Sequence, residues 1–292
     1  MAVIIPTLDR PIELLKTLEQ LDKQTVKPQI VVIVDSSSQI ADTNAFSQKW
    51  NHHHMKTNIR SSSIQRNIGL EVLKNFEYDF ILFHDDDMNI WPDYIYRLIE
   101  TFAAKSNAIG VSGIALPSMN DKSRKQRMKK TRDLLGKPGS VSKSGINLPV
   151  TKSDGLIISC DWLIGCSMWR KLDSKFKFEE TLSGYAIFED VIFSMNIKLL
   201  SSMDLFVNTS ISIEHRIHTQ RLDGFIIKRN WIINRFRAAK LFPQKIDIRR
   251  MWLTNFAFLL WTLLRLPFDT KVYFSEFKGI AAGIYSIWRL SE

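Results

Sequence analysis

Cysteine is nearly absent from this chain: Cys160 and Cys166 are the only two in 292 residues. Two thiols exclude a disulfide framework, and they lack the spacing of a zinc site, so the usage suits a reducing compartment. No glycine-rich phosphate loop occurs, which removes the P-loop enzymes from consideration. No apolar run reaches the roughly 20 residues of a membrane-spanning helix. The start, Met1 to Pro6, lacks a basic segment, and Pro6 ends its apolar run at once. These absences predict a protein of the cytosol or of the cytosolic face of a membrane.

What is present is a core-forming composition, 45% hydrophobic, with a formal net charge of +10. The charge is unevenly placed. Residues 216–292 hold 14 Lys/Arg against 5 Asp/Glu, so +9 of the excess lies in the last quarter. A second basic cluster runs through Lys122, Arg124, Lys125, Arg127, Lys129, Lys130 and Arg132. Such charge serves nucleic acid, anionic lipid or a phosphorylated substrate, and composition does not choose among them.

Periodicity alternates along the first hundred residues. Val3–Ile5, Ile30–Val34, Tyr78–Phe83 and Ile109–Leu116 read as buried strands. Pro11–Leu21, Ser61–Phe76 and Pro92–Ala104 read as helices. Strand–helix alternation predicts an α/β fold with a mostly parallel sheet flanked by helices. Residues 117–154 read as a long, basic, partly mobile loop. A strand at 155–159, a turn at 162–170, a helix from about Glu189 to Leu200 and a strand at 211–213 follow. The C-terminal part reads as three helices, at 225–241, 251–264 and 274–288. Met251–Leu264 is 14 residues without charge, flanked by Arg249, Arg250 and Arg265. It is either a buried helix covering the rest or one lying shallowly in a bilayer surface.

Ligands of open α/β sheets bind at the carboxyl ends of the strands. Asp35 and Asp85-Asp86-Asp87 stand at two such ends. In extended chain Asp85 and Asp87 project to one side, where a shared Mg²⁺ or Mn²⁺ would relieve their repulsion and neutralise a departing diphosphate. The bland alternative is a solvated acidic turn. Arg66 is a candidate for phosphate or base, and Asn67 for orienting a loop. Asp190, beside Glu189 at a helix start, is a candidate general base, because the helix dipole favours ionised carboxylate there. His215 and His218 are candidate metal ligands. The run His52-His53-His54 reads as non-catalytic, being far in sequence from the acidic cluster.

Six motifs in order resemble the family 2 glycosyltransferases of the GT-A fold. They are Val3–Thr7 with Arg10-Pro11, Val32–Ser36, Arg66–Gly69, Phe83–Asp87, Gly165–Arg170 and Glu189-Asp190. The resemblance implies an inverting transfer of a sugar from a nucleoside-diphosphate sugar to a hydroxyl, in bacterial cell-surface polysaccharide or glycolipid synthesis. It implies that Thr7, Asp35, Arg66, Asp85 and Asp86 bind the donor, with Asp35 on the base. Asp85 and Asp87 would form the metal-binding DXD motif for Mn²⁺ or Mg²⁺, with His215 as the distal metal contact and His218 second to it. Asp190 would be the catalytic base. His84 departs from the apolar residue or carboxylate that many members carry. Lys278-Gly279-Ile280 followed by Gly283 is similar to the tails of bacterial polysaccharide-building members.

The expected organisation is a catalytic domain at 1–220 and a basic, apolar helical extension at 221–292. The expected partners are a nucleotide sugar, a saccharide or lipid-linked saccharide acceptor and an anionic membrane surface, with no nucleic acid. The competing readings are a non-catalytic basic binding protein for anionic lipid or nucleic acid, and another metal-dependent nucleotide enzyme.

Overall fold

The strand Ala2–Thr7 (β1) is buried at all six residues, because it is apolar on both faces and lies inside the sheet. It pairs in parallel with Ile30–Asp35 (β2) and with Phe80–Phe83 (β4). The computed structural model describes residues 1–116, 136–182, 187–216 and 223–289. The basic cluster 122–132 and His218 lie outside these.

Around β1 the chain builds one nine-stranded sheet. Asn51–Lys56 (β3) adds in parallel to β2. Beyond β4 come Ser167–Arg170 (β8), Ala108–Leu116 (β6), Asp204–His215 (β9) and the two-residue Met88–Asn89 (β5), and Ile157–Cys160 (β7) also pairs with β9. Since β6 and β9 are parallel to each other and both antiparallel partners of short strands, six of the nine strands run one way. This is the mostly parallel α/β sheet that the alternation predicts.

The helices Pro11–Asp22 (α1), Ser62–Leu73 (α2) and Tyr94–Ala104 (α3) follow their strands as the periodicity requires. Three strands escape the sequence reading, the two-residue β5 among them. β3 is made of Asn-His-His-His-Met-Lys, with no apolar alternation; it forms because an edge position asks only for backbone pairing with β2. The segment 162–170, expected as a turn, ends in β8, which inserts antiparallel between β4 and β6 and buries Trp169 completely.

The first part of the expected long loop is outside the described residues. Its remainder is not loose: Val141, Ile146, Leu148 and Val150 are buried. Hydrogen bonds from Gly139 N to Leu148 O and from Ser142 N to Ile146 O fold it on itself.

Glu189–Leu200 (α4) is followed, after β9, by Gly224–Leu241 (α5), Ile248–Arg265 (α6) and Thr270–Arg289 (α7). One apolar cluster joins Trp162, Leu182, Val191 and Ile192 to Ile232, Phe236, Met251 and Ile280, so the C-terminal helices share a core with the segment around α4. α5 and α7 approach through glycine. A Cβ on Gly279 would lie 2.4 Å from Phe225 O, and one on Gly283 would lie 2.7 Å from Ile232 Cβ. Small residues four apart let two helix backbones meet, as side chains would not.

α6 is inside out. Its buried residues are Met251, Asn255 and Thr262, while Leu253, Phe256, Leu260, Trp261 and Leu264 face outward. The buried-cover reading of this helix therefore fails for its outer face. Among the described residues no helix is long and apolar enough to cross a membrane.

The glycine contact gives a test. Gly279→Ala forces α7 away from the α5 backbone, which cannot yield as a flexible side chain can. Overpacking of this kind costs about 1–3 kcal/mol. Urea unfolding should show the midpoint falling with an unchanged slope; a midpoint equal to that of the wild type would refute the close approach.

Candidate active site at the carboxyl ends of the strands

The ends of β1, β2 and β4 converge, and the side chains there are tied together by charge. After Phe83 the chain leaves extended geometry, so Asp85, Asp86 and Asp87 occupy a turn and not a strand. Alternation therefore does not govern them, and Asp85 and Asp87 take different partners. Asp85 turns to Arg66, whereas Arg10 Nη1 bridges Asp86 Oδ1 at 3.0 Å and Asp87 Oδ2 at 2.8 Å. Arg10 is the cation that relieves the repulsion of this pair.

Thr7, at the end of β1, donates its hydroxyl to Asp86 Oδ2 at 2.6 Å. Asp86 is buried, and that burial pushes its pKa up to about 6 despite Thr7 and Arg10. Asp86 is thus an internal anchor of the turn. His84, wholly buried, donates Nδ1–H to Asp85 O at 2.7 Å, and burial lowers its pKa to about 4, so the ring is neutral. Its substitution for an apolar residue keeps the turn braced from within.

Arg66 stands on α2 and is fully buried. Its two terminal nitrogens reach Asp85 and Glu189, and its guanidinium lies 5.2 Å from the Phe178 ring centroid. Burial would lower its pKa, but Glu189 and Asp85 outweigh that and raise it. In this arrangement the guanidinium is committed to the carboxylates of Asp85 and Glu189. Glu189 also accepts from Ser62 Oγ at 2.7 Å and Ser63 Oγ at 2.8 Å. Asn67 performs the orienting role expected of it: it donates to Phe178 O and Glu180 Oε1 and accepts from Phe178 N, holding that loop against α2.

Asp190 is the second residue of α4. Phe188, which precedes the pair, sits at φ 83, a left-handed conformation uncommon for a bulky residue. Such strain gathers at functional sites. Asp190 lines a small cavity with Phe83, Gly165, Trp169 and Phe193. Desolvation, then the charge of Glu189, pushes its pKa up to about 7. That value suits a general base working near neutrality. Gly165 closes the same cavity: a Cβ there would lie 2.4 Å from Asp85 Oδ2, so glycine is what lets the loop and the carboxylate meet.

His215 reaches the site through strand register. β5 pairs with the end of β9, setting His215 opposite Met88. Its Nε2 lies 3.6 Å from Asp87 Oδ2. Its Nδ1 is 2.9 Å from Arg216 O. A carbonyl only accepts, so Nδ1 carries a proton, and Nε2 is the ring atom that faces Asp87. Carboxylate and imidazole together fit a hard divalent cation that also takes diphosphate oxygens. Among the described residues no group of three His, Cys, Asp or Glu side chains gathers as a metal cage. Asp85 is paired with Arg66.

Arg216 escaped the sequence reading. Its guanidinium donates to Glu13 Oε2 (2.8 Å), Thr17 Oγ1 (2.7 Å) and Met88 O (2.8 Å), pinning the turn to α1. Gln65 escaped too; it donates to Thr7 O and Val34 O and so joins the ends of β1 and β2. Neither belongs to a sequence pattern that would have marked it. Asp35, at the end of β2, is 1% exposed and accepts from Ser37 N at 2.8 Å.

The family model described as Glycosyl transferase family 2 matches residues 2–164. No curated protein matches the sequence. Among solved structures, TarS of S. aureus is 16% identical, with 80% of this chain covered and a TM-score of 0.51, and the chain spans 39% of that protein's length. The 1–349 form of S. aureus TarS in complex with UDP-GlcNAc is 16% identical, covering 80% of this chain and 65% of that one, at a TM-score of 0.52. GalNAc-T7 with UDP, GalNAc and Mn²⁺ is 10% identical, covering 82% and 47%, at a TM-score of 0.54. These likenesses are of fold.

Arg66 is the stability test for this site. Arg66→Met leaves two largely buried carboxylates facing each other without a cation. Removing one partner of such a group costs about 3–5 kcal/mol. Denaturant unfolding should register a loss of that order, and a loss under 1 kcal/mol would show that the pairs are incidental.

Proposed function

The chain belongs to the family 2 glycosyltransferases and has their GT-A fold; from that premise we propose that it is a glycosyltransferase, moving a sugar from a nucleoside-diphosphate sugar to a hydroxyl acceptor with inversion. The observation that carries this reading is Arg66, whose single guanidinium joins the carboxylate turn to the helix end that bears Asp190. Donor-side and base-side groups thereby belong to one cleft.

In this mechanism Asp35 meets the donor's base, and Thr7 with Asp86 supports the turn beneath the diphosphate. Asp87 and His215 are the residues that would hold Mn²⁺ or Mg²⁺, with Asp85 nearby, and a bound ion supplies Lewis acidity toward the diphosphate. Asp190 takes the proton from the acceptor hydroxyl as its oxygen forms the new bond to the anomeric carbon. The bond to the diphosphate breaks on the opposite face, so configuration inverts. The base works only when ionised. Transfer therefore falls as pH drops through about 7, the value to which burial raises Asp190.

Asp190→Asn should bind the nucleotide sugar as the wild type does and lose turnover by about 10²–10⁴. Chelation should stop the wild type, and Mn²⁺ should restore it. Product NMR decides the stereochemistry: retention of the donor's anomeric configuration would sink the single displacement.

The helical extension, residues 221–292, fits an anionic membrane surface where a lipid-linked acceptor of surface-polysaccharide or glycolipid synthesis would sit. Leu253 is 71% exposed, Leu264 63% and Phe268 84%, and the exposed Arg249, Arg250 and Lys271 rim them. Trp261 carries Arg265 over its ring at 4.8 Å, an arrangement at home between headgroups and hydrocarbon. Each basic side chain near an anionic surface contributes about 1 kcal/mol. The full-length protein should float with anionic vesicles at low salt, and Leu253→Asp with Leu260→Asp should abolish flotation. Wild-type protein left at the bottom of the gradient would remove the membrane from this account.

A further inference from the structure

The histidine run that looks inert in the sequence lies on β3, and the fold carries it to the donor side of the cleft. In the parallel register His54 pairs with Ile33 of β2, which sets its ring beside Asp35. His54 Nε2 lies 3.1 Å from Asp35 Oδ2. His54 Nδ1 lies 3.1 Å from Thr43 Oγ1, and the same hydroxyl lies 3.1 Å from His52 Nε2. Asp35 and Thr43 are buried, and the His54 side chain is 13% exposed.

The direction of the bond to Asp35 follows from the chemistry of the atoms. An ionised carboxylate only accepts, so His54 Nε2 carries a proton. Thr43 Oγ1 bridges His54 Nδ1 and His52 Nε2. Burial, then the neighbouring His54 and His53, lowers the pKa of His52. Burial alone would raise the pKa of Asp35, but the bonds from His54 and Ser37 bring it below the ordinary value. It is engaged by Ser37, through backbone and side chain, and by His54 at Oδ2. A carboxylate offers about four lone-pair sites, so acceptor capacity remains for a ligand.

We propose that His54, held from behind by Thr43 and His52, is a positioning residue for the donor's base: it fixes the Asp35 carboxylate so that its remaining lone pairs accept a ring N–H such as that of uracil. This rests on the reading that Asp35 meets the base. His54 does not touch the base itself, and acts only through the carboxylate.

The probes are UDP and inorganic pyrophosphate, titrated calorimetrically into the full chain with Mn²⁺ present. His54→Leu removes the donor to Asp35 and should weaken UDP by roughly tenfold or more, the size expected for a hydrogen bond to a charged group. It should leave pyrophosphate unchanged, because pyrophosphate has no base. His54→Gln, whose amide N–H can replace Nε2–H, should recover most of the UDP affinity. The double variant Asp35→Ala/His54→Leu should be no worse than Asp35→Ala alone, since both lesions break one contact. Equal loss of UDP and pyrophosphate in His54→Leu would show a merely structural role and overturn the proposal. So would unchanged UDP binding in His54→Leu while Asp35→Ala loses it, an outcome that leaves the base site standing. If Asp35→Ala itself binds UDP as the wild type does, the base-site reading fails, and the proposal with it.

Discussion

A fully buried guanidinium, Arg66, is the constraint on which the active-site end of the molecule depends. It reaches Asp85 in the turn after β4 and Glu189 at the head of α4, two segments more than a hundred residues apart in the chain. Taking one cation and two anions out of water is expensive unless geometry and hydrogen bonding are complete. Here Ser62 and Ser63 satisfy Glu189 further, and the Phe178 ring covers the guanidinium. The cluster therefore specifies one arrangement of α2, the turn and α4. Glycine at 165 and the left-handed Phe188 are local consequences of closing the chain around it.

A second layer of charge sits outward from the first. Arg10 holds Asp86 and Asp87, Arg216 ties the same turn to α1, and His215 arrives on the end of β9. Three separate stretches of sequence, around Arg10, Arg66 and His215-Arg216, thus pin three consecutive carboxylates. Rigidity of this kind is what a site needs if charge is to be stabilised without reorganisation as it develops. Burial favours the protonated form of Asp190 far above the usual carboxylate range, and does the same to Asp86 to a smaller extent.

The C-terminal helices turn the usual rule of burial around. α6 places Asn255 and Thr262 inward and its leucines outward. Asn255 accepts from the buried Arg235, which also donates to Ser144 O and stacks at 4.1 Å on Trp231. This polar contact joins the helix to the body beside an apolar one, through Met251, Phe258 and Leu259, and the opposite face keeps its large apolar side chains exposed.

Much of this protein was legible in its sequence. Strand and helix periods over the first hundred residues, the carboxylates after Phe83 and the pair Glu189-Asp190 all stand in local patterns, and local patterns survive translation into structure. Asn67, read as an orienting residue, does orient a loop. What the sequence could not decide was which groups meet. Alternation along a strand assigned Asp85 and Asp87 to one side, but the chain turns at His84, and only the pull of Arg10 and Arg66 determined where each carboxylate points. The histidine run carried no signal because β3 is built by pairing with β2 rather than by its own apolar pattern. Arg216 and Gln65 act on groups far away in sequence. The amino-acid order settled the elements and the inventory of charges; the tertiary structure alone settled their partners, because ion pairs and sheet register join residues that no local rule relates.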